Sequence, residues 1–382
     1  MVNVQQYHAQ LCQEWGYTPT QDVATGYEHV YTDLRQLSKS AWNGADDGGK
    51  LVIEQAAFDI YRSVGRLPIT YYTLDGCRQE ILDISNRVKC VEDKTLAIGG
   101  SPGQALGRFW FPNMQDANWN DNDAVSMRSR FNHDVKVKRA IRMCYKIRDN
   151  GDESVFPKYL RTALELVNGG TIQNFKALNA RAIWEYICPV MMGSVLDFSS
   201  GYGGRMMGAM TSRMRYHYTG IDPNTRTFAG LTALGELLQE QNQGLGYTMH
   251  NIPSEDFVPD EGAYDAAFSS PPYFNLETYC DEPTQCMNRY PALDSWFEGY
   301  VTPTLKMIHR ALAPDGMYAV NIADYRNGKA AFEIVQPWID LSEKLGFKYV
   351  DRVDMLLTTR PGVGNDKANR PTKTEGIYIF KK

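Results

Sequence analysis

No apolar run in the 382 residues approaches the roughly 18 that would span a bilayer. The start, M-V-N-V-Q-Q-Y-H, has neither the basic nor the apolar region of a secretory leader. The expectation is therefore a cytoplasmic protein with no membrane partner. The seven cysteines, Cys12, Cys77, Cys90, Cys144, Cys188, Cys280 and Cys286, form no C-x-x-C pair and are odd in number. Neither a disulfide framework nor a zinc site is supported, and no metal is expected. A positive excess is missing too: 40 Lys and Arg stand against 45 Asp and Glu, a net charge of −5, which speaks against indiscriminate binding to polyanions. What remains, 43% hydrophobic and 22% charged, is ordinary globular composition. The length suits two domains, or one with a large N-terminal extension.

The most informative stretch runs from Val195 to Ala209, V-L-D-F-S-S-G-Y-G-G-R-M-M-G-A. An apolar pair ends at Asp197, a glycine turn follows, and apolar residues then recur at helical spacing: a strand, a tight turn and a helix. Gly201 and Gly203 let a ligand lie against the backbone where a Cβ would stand in the way. Such turns serve dinucleotides, phosphates and S-adenosylmethionine, so the turn alone does not choose among them. Tyr216 to Ile221 reads as a second strand ending at Asp222, where an acid can hold both hydroxyls of a ribose or cap the helix that starts near Asn224. Glu255 and Asp256 follow near a third strand end, and Tyr264 to Phe268 forms a fourth that runs into S-S-P-P-Y-F, Ser269 to Phe274.

The series D-F-S-S-G-Y-G, G-I-D-P and S-P-P-Y-F resembles the class I S-adenosylmethionine-dependent methyltransferases, and among them the DNA amino-methyltransferases acting on cytosine N4 or adenine N6. The resemblance covers about residues 174 to 382. It implies an α/β, Rossmann-like fold with a mostly parallel seven-stranded sheet, an antiparallel C-terminal hairpin, and S-adenosyl-L-methionine as cofactor. Strands alternating with helices after the glycine turn agree with a mostly parallel sheet. The resemblance further implies that Phe175, on the helix before the turn, packs over the cofactor; the residue type fits core packing equally. Asp197 would lie near the methionine ammonium, and the backbone of Ser199, Gly201, Tyr202 and Gly203 near its carboxylate. Asp222 would hold the ribose, and Asp256 or its neighbour Glu255 the adenine amino group.

Catalysis would fall to Ser270, Pro271, Pro272 and Tyr273. An exocyclic amine is conjugated with its ring and is a poor nucleophile. The Ser270 hydroxyl and the Pro271 carbonyl can accept its hydrogen bonds while aiming its lone pair at a methyl donor. The prolines fix φ and bring no competing N–H. Tyr273, or alternatively Phe274, would stack on a base swung out of the duplex. Ser at the first position resembles the cytosine-N4 enzymes, Asp or Asn the adenine-N6 ones. Other readings are methylation of RNA or of a protein amide, or a non-catalytic nucleic-acid-binding protein that kept the fold.

No recognition domain follows the motif, so target choice would fall to the first half or to the insert Asn275 to Tyr290, where Arg289 and Tyr290 could clamp substrate or simply belong to a loop. The expected division is residues 1–150, an α+β extension that is a candidate for DNA recognition, and residues 151–382, the methyltransferase domain. Met127 to Asp149 is rich in Lys and Arg and could face phosphates or simply be solvated. Thr359 to Thr374 reads as a basic loop able to close on a backbone, Asn168-Gly169-Gly170 as a hinge, and Ser101 to Gly107 as a loop.

Overall fold

The computed structural model describes residues 3–98, 100–119, 126–147, 151–167, 171–241, 246–357 and 373–382. The first half is mainly helical, with α1 (Val4–Trp15), α2 (Asp47–Val64), α3 (Leu74–Asn86), a short strand β1 (Thr95–Leu96), α4 (Asp134–Lys146) and α5 (Pro157–Leu166). The second half alternates: α6 (Ala177–Ile187), β2 (Ser194–Asp197), α7 (Gly204–Met210), β3 (His217–Ile221), α8 (Thr225–Gln241), β4 (Tyr247–His250) and β5 (Tyr264–Ser269). It continues with α9 (Thr302–Ala311), β6 (Leu312–Asn321), α10 (Val335–Lys344), β7 (Lys348–Leu356) and β8 (Thr374–Lys381).

Eight strands form one sheet in the order β1-β7-β8-β6-β5-β2-β3-β4. All neighbours are parallel except β8, which runs antiparallel to both β6 and β7. This is the Rossmann-like methyltransferase sheet with its C-terminal hairpin, as the resemblance implies. The expected seven strands are joined at the β7 edge by an eighth, β1, which comes from the first half. Its two residues carry no strand signal that local sequence could reveal.

Side chains along each strand alternate between two cores. Val195, Ala266, Phe268, Ala319, Ile377 and Ile379 point into one, which runs on into Leu11, Trp15, Phe109 and Trp110 of the first half. Leu196, Ala267, Tyr318, Val320, Tyr378 and Phe380 point into the other, closed by Trp296, Leu305, Ile308 and Trp338. The extension thus supplies much of the cover on one face of the sheet, and its core crosses residue 150 without a break. Polar contacts follow the same seam: Trp110 Nε1 donates to Gly230 O at 2.9 Å and Asn113 Nδ2 to Thr227 Oγ1 at 2.8 Å.

One local expectation is corrected. Residues read as a loop before Gly107 begin a helix, Gln104–Trp110, drawn in by burial of Leu106, Phe109 and Trp110. The helical stretch before β6 comes in three pieces, Leu293–Trp296, a π-helical segment Phe297–Val301, and α9. A short strand, Ala330–Phe332, precedes α10. Of the basic loop, residues 359–372 lie outside the described residues, as do 168–170 of the hinge and Arg148 and Asp149 of the basic stretch. Elsewhere in that stretch four of the basic side chains are held within the chain. Arg142 pairs with Glu54 at 2.8 Å, Arg128 pairs with Asp116, Lys138 Nζ donates to Gln55 Oε1 at 2.7 Å, and Arg130 is buried.

Candidate active site

The carboxyl ends of the parallel strands and the amino end of β8 share one edge of the sheet. There a cavity of about 750 Å³ opens, within the range of small-molecule sites. Its wall gathers Phe175, Ser199, Gly201, Tyr202, Asp222, Glu255, Ser270, Pro271, Pro272 and Tyr273. Residues nominated at separate strand ends therefore meet around one space. Asp197, Gly203, Asp256, Phe274, Arg289 and Tyr290 are not on that wall.

The reason is plain for Asp197. Its carboxylate is fully buried and accepts from Arg205 Nε at 2.9 Å, Tyr218 Oη at 2.9 Å, Ser269 Oγ at 2.8 Å and the Ser199 amide at 3.3 Å. It ties β2, β3, β5 and α7 together and presents no oxygen to a ligand's ammonium. Gly203, at φ 74°, shapes the turn from beneath: a Cβ there would come within 2.5 Å of Leu234 Cδ2.

Asp222 sits at the end of β3 with its oxygens receiving the Gly201 amide at 2.9 Å and the Asn224 amide at 3.0 Å. The cap of α8 is Asn224, whose Oδ1 accepts from the Arg226 amide at 3.1 Å and the Thr227 amide at 3.0 Å. Asp222 therefore pins the glycine turn, and burial pushes its carboxyl up to about 7 despite those two amides. Of the acids after β4, Glu255 faces the cavity with its side chain 3% exposed, whereas Asp256 points outward at 45%. Arg289 binds both, at 2.8 Å and 2.7 Å, so its charge is spent on these acids rather than on a substrate. Tyr290 packs beneath Arg289 and over Gly299. Glu255 is also pushed up to about 7, chiefly by burial.

Ser270 to Tyr273 leave the end of β5. Tyr273 turns its ring to the cavity and its hydroxyl to the Asn321 carbonyl at 3.1 Å and Glu375 Oε1 at 2.5 Å. Phe274 turns away at φ 40°, a region that bulky residues rarely enter, and packs 6.1 Å from Trp296 and 5.6 Å from Phe332. It belongs to the core, not to the substrate wall. The π-helical segment brings Tyr300 against the Ser199 hydroxyl at 3.2 Å.

Other residues at the site have no sequence motif of their own. Asn174 straps the glycine turn, giving Nδ2 to Tyr202 O at 2.6 Å and taking the Gly204 amide at 3.1 Å. Gln104 of the first half donates to the carbonyls of Asn174 and Phe175 at 2.9 Å and 3.2 Å. Glu277, half-buried and pushed up to about 7 by desolvation, holds the Tyr279 hydroxyl, and Glu375 is raised as well. A signal existed for Arg205, which follows the glycine turn and faces back toward the acid that precedes it. None exists for Glu375, which long-range strand order alone brings into place.

An adenosyl-sulfonium cofactor fits this donor and acceptor set. Tyr202 Oη and Gln285 Nε2 are buried on the wall without a partner among the described residues, as groups awaiting a polar ligand would be. Gly201, at φ 54°, leaves the turn open, Asp222 offers acceptors, and Lys176 lies on the wall with its ammonium pKa lowered by burial.

No protein-family model and no curated protein matches the chain. Solved structures that resemble it include a SAM-dependent methyltransferase from Methanosarcina mazei, 14% identical, covering 52% of this chain and 96% of that one at a TM-score of 0.36. A methyltransferase from Pyrococcus furiosus is 15% identical over 57% and 91%, TM-score 0.35. The magnesium protoporphyrin IX methyltransferase of Synechocystis, with bound SAM, is 11% identical over 54% and 79%, TM-score 0.34. Likenesses of this size carry no inference about reaction or substrate. Among the described residues no helix is long and apolar enough to cross a membrane, and no cluster of His, Cys, Asp and Glu could hold a metal.

Proposed function

We propose that the chain is an S-adenosylmethionine-dependent methyltransferase acting on the exocyclic amine of a DNA base, cytosine N4 in preference to adenine N6. The observation that carries this reading is the meeting of Ser270-Pro271-Pro272-Tyr273 with Gly201 and Asp222 around one cavity. When bound, the cofactor supplies an electrophilic methyl group. The turn residues, Asp222, Glu255 and the unpartnered Tyr202 and Gln285 groups hold it. Ser270 Oγ and the Pro271 carbonyl accept the hydrogens of the incoming amine, and the Tyr273 ring flanks the base.

The charge of the wall supports an acceptor that donates hydrogen bonds. Asp222, Glu255, Glu277 and Glu375 all face the cavity, and together they disfavour the entry of phosphate. A nucleobase amine entering alone, with its backbone left outside, suits such a wall.

Tritiated cofactor incubated with the protein and duplex DNA tests the reading. Label retained on DNA, and N4-methylcytosine among the released nucleosides by mass spectrometry, are the expected results. Label on RNA or protein only, or cofactor binding without transfer, would replace it. Ser270→Ala is expected to keep cofactor affinity and reduce turnover tenfold or more, since one acceptor in a desolvated site contributes about 1–3 kcal/mol. Undiminished turnover would move the chemistry elsewhere.

Asp222 gives a pH-dependent expectation. Its folded-state pKa is raised to about 7, so the carboxyl holds its proton below that value, whereas ribose hydroxyls donate best to the ionised form. Cofactor affinity should therefore rise between pH 6 and pH 8, with Glu255 adding in the same direction. Asp222→Asn should bind more weakly, with a shallower rise by calorimetry. Wild-type affinity and an unchanged profile would leave Asp222 only its role in pinning the turn.

A further inference from the structure

An amine that gains a methyl group must lose a proton, and a serine hydroxyl is too weak a base to keep it. The wall opposite the cofactor residues offers a route. Ser270 and Tyr273 stand on the same stretch of the cavity wall, and the Tyr273 hydroxyl lies 2.5 Å from Glu375 Oε1. Glu375 reaches this point because β8 alone runs antiparallel, so its first residues arrive at the edge where the parallel strands end. Asn321 Nδ2 fixes that arrival by donating to Gly376 O at 3.1 Å. Stacking of a base needs only the Tyr273 ring, and core packing needs no carboxylate at the mouth of a cavity.

We propose that Ser270, Tyr273 and Glu375 form a proton relay in which Glu375 is the final acceptor of the proton released by the attacking amine; this rests on the methyl-transfer reading above. The amine lone pair forms the N–CH3 bond as the S–CH3 bond breaks and its electron pair stays on sulfur. One amine proton passes to Ser270 Oγ, the serine's own proton to Tyr273 Oη, and the tyrosine's to the Glu375 carboxylate. A sulfonium and a carboxylate become a thioether and a carboxylic acid, so two opposite charges disappear together.

The sign of the pH dependence follows. Glu375 must be ionised to accept, and burial raises its pKa above the usual carboxylate range, so kcat falls as pH drops through that raised value. The ionisable groups facing it are Tyr273 and Glu277, the latter held by Tyr279; the β6 side contributes the uncharged Asn321, and the end of β7 the apolar Leu356. Glu277 is therefore the other candidate source of an acid limb, and E277Q should displace the limb without removing it.

The test uses the full chain with S-adenosylmethionine and duplex DNA. E375Q is expected to bind cofactor within about twofold of wild type by calorimetry, to lose tenfold or more in kcat, and to lose the acid limb. E375D should restore part of the rate and of the limb. Y273F should lower kcat with little change in KM for DNA, because the ring remains. In the ligand-free protein, an infrared band of a protonated carboxyl should grow as pH falls and be diminished in E375Q. Wild-type kcat and an unchanged acid limb in E375Q, an infrared band that E375Q leaves intact, or loss of the limb in E277Q would each overturn the relay. Should E375Q fail to fold, E375D and Y273F decide the matter. If the wild-type chain methylates no nucleobase amine, the reading of function fails; if it does and E375Q behaves like wild type, the relay alone fails.

Discussion

Asp197→Ala should lower the stability of the ligand-free chain by about 3–5 kcal/mol, the usual consequence of removing one partner from a buried ion pair. Arg205 would keep a side chain only 5% exposed and lose the acid at its Nε. Tyr218 Oη and Ser269 Oγ would lose their nearer acceptor in the same step, keeping only Ser200 Oγ at 3.1 Å and Ser199 O at 3.3 Å. The Ser199 carbonyl, which also receives Arg205, cannot replace a full negative charge. Asp197→Asn separates the two contributions, since an amide oxygen can still accept while the charge is gone, and it should fall between wild type and Ala. Chemical denaturation followed by fluorescence measures both. A loss below about 1 kcal/mol in the Ala variant would mean that the network is slack and that Asp197 is available for another task.

Gly204→Ala should be the most damaging single methyl group added near the glycine turn. An ideal Cβ at Gly204 would stand 1.9 Å from the Phe175 carbonyl oxygen and 2.7 Å from Asn174 Oδ1, so the strap must move. Overpacking of this kind destabilises by about 1–3 kcal/mol. The larger consequence is functional: Asn174 would release both Tyr202 O and the Gly204 amide, and cofactor affinity should drop tenfold or more. Gly201→Ala is the informative comparison. Its Cβ would meet nothing closer than 4.0 Å, leaving only the strain of φ 54°, of order 1–2 kcal/mol. Calorimetric titration with cofactor ranks the two, and equal affinities would show that the strap does not shape the cavity.

Sequence made the second half legible because its signals are local. The apolar pair before Asp197, the glycines after it, and the prolines after β5 each announce a strand end within a few residues. Placing those ends around one cavity needs only the rule that ligands collect where parallel strands finish. The errors arose where partner choice is long-range. Asp197 resembled a ligand-binding acid because nothing nearby shows that Arg205, Tyr218 and Ser269 converge on it. Glu255 and Asp256 are equivalent on paper; Arg289, more than thirty residues on, binds both, and the fold turns Glu255 alone to the cavity. Phe274 looked like a second stacking residue until the turn carried it into the core. The first half was hardest, because its helices take their meaning from the sheet they cover: apolar spacing such as Ala57, Phe58 and Tyr61 marks a buried face but not what lies against it.

Gln104 carries a practical consequence for engineering. Because this one amide from the early part of the chain steadies the segment that straps the glycine turn, the methyl-donor compartment is assembled by two distant stretches of polypeptide at once. Specificity in this architecture cannot be re-addressed by grafting another enzyme's leading portion onto the trailing one. Such a chimera would forfeit its donor compartment before it met any target, and the Asn275–Tyr290 insert is no freer a place for change, since Glu277 and Gln285 stand on the same wall.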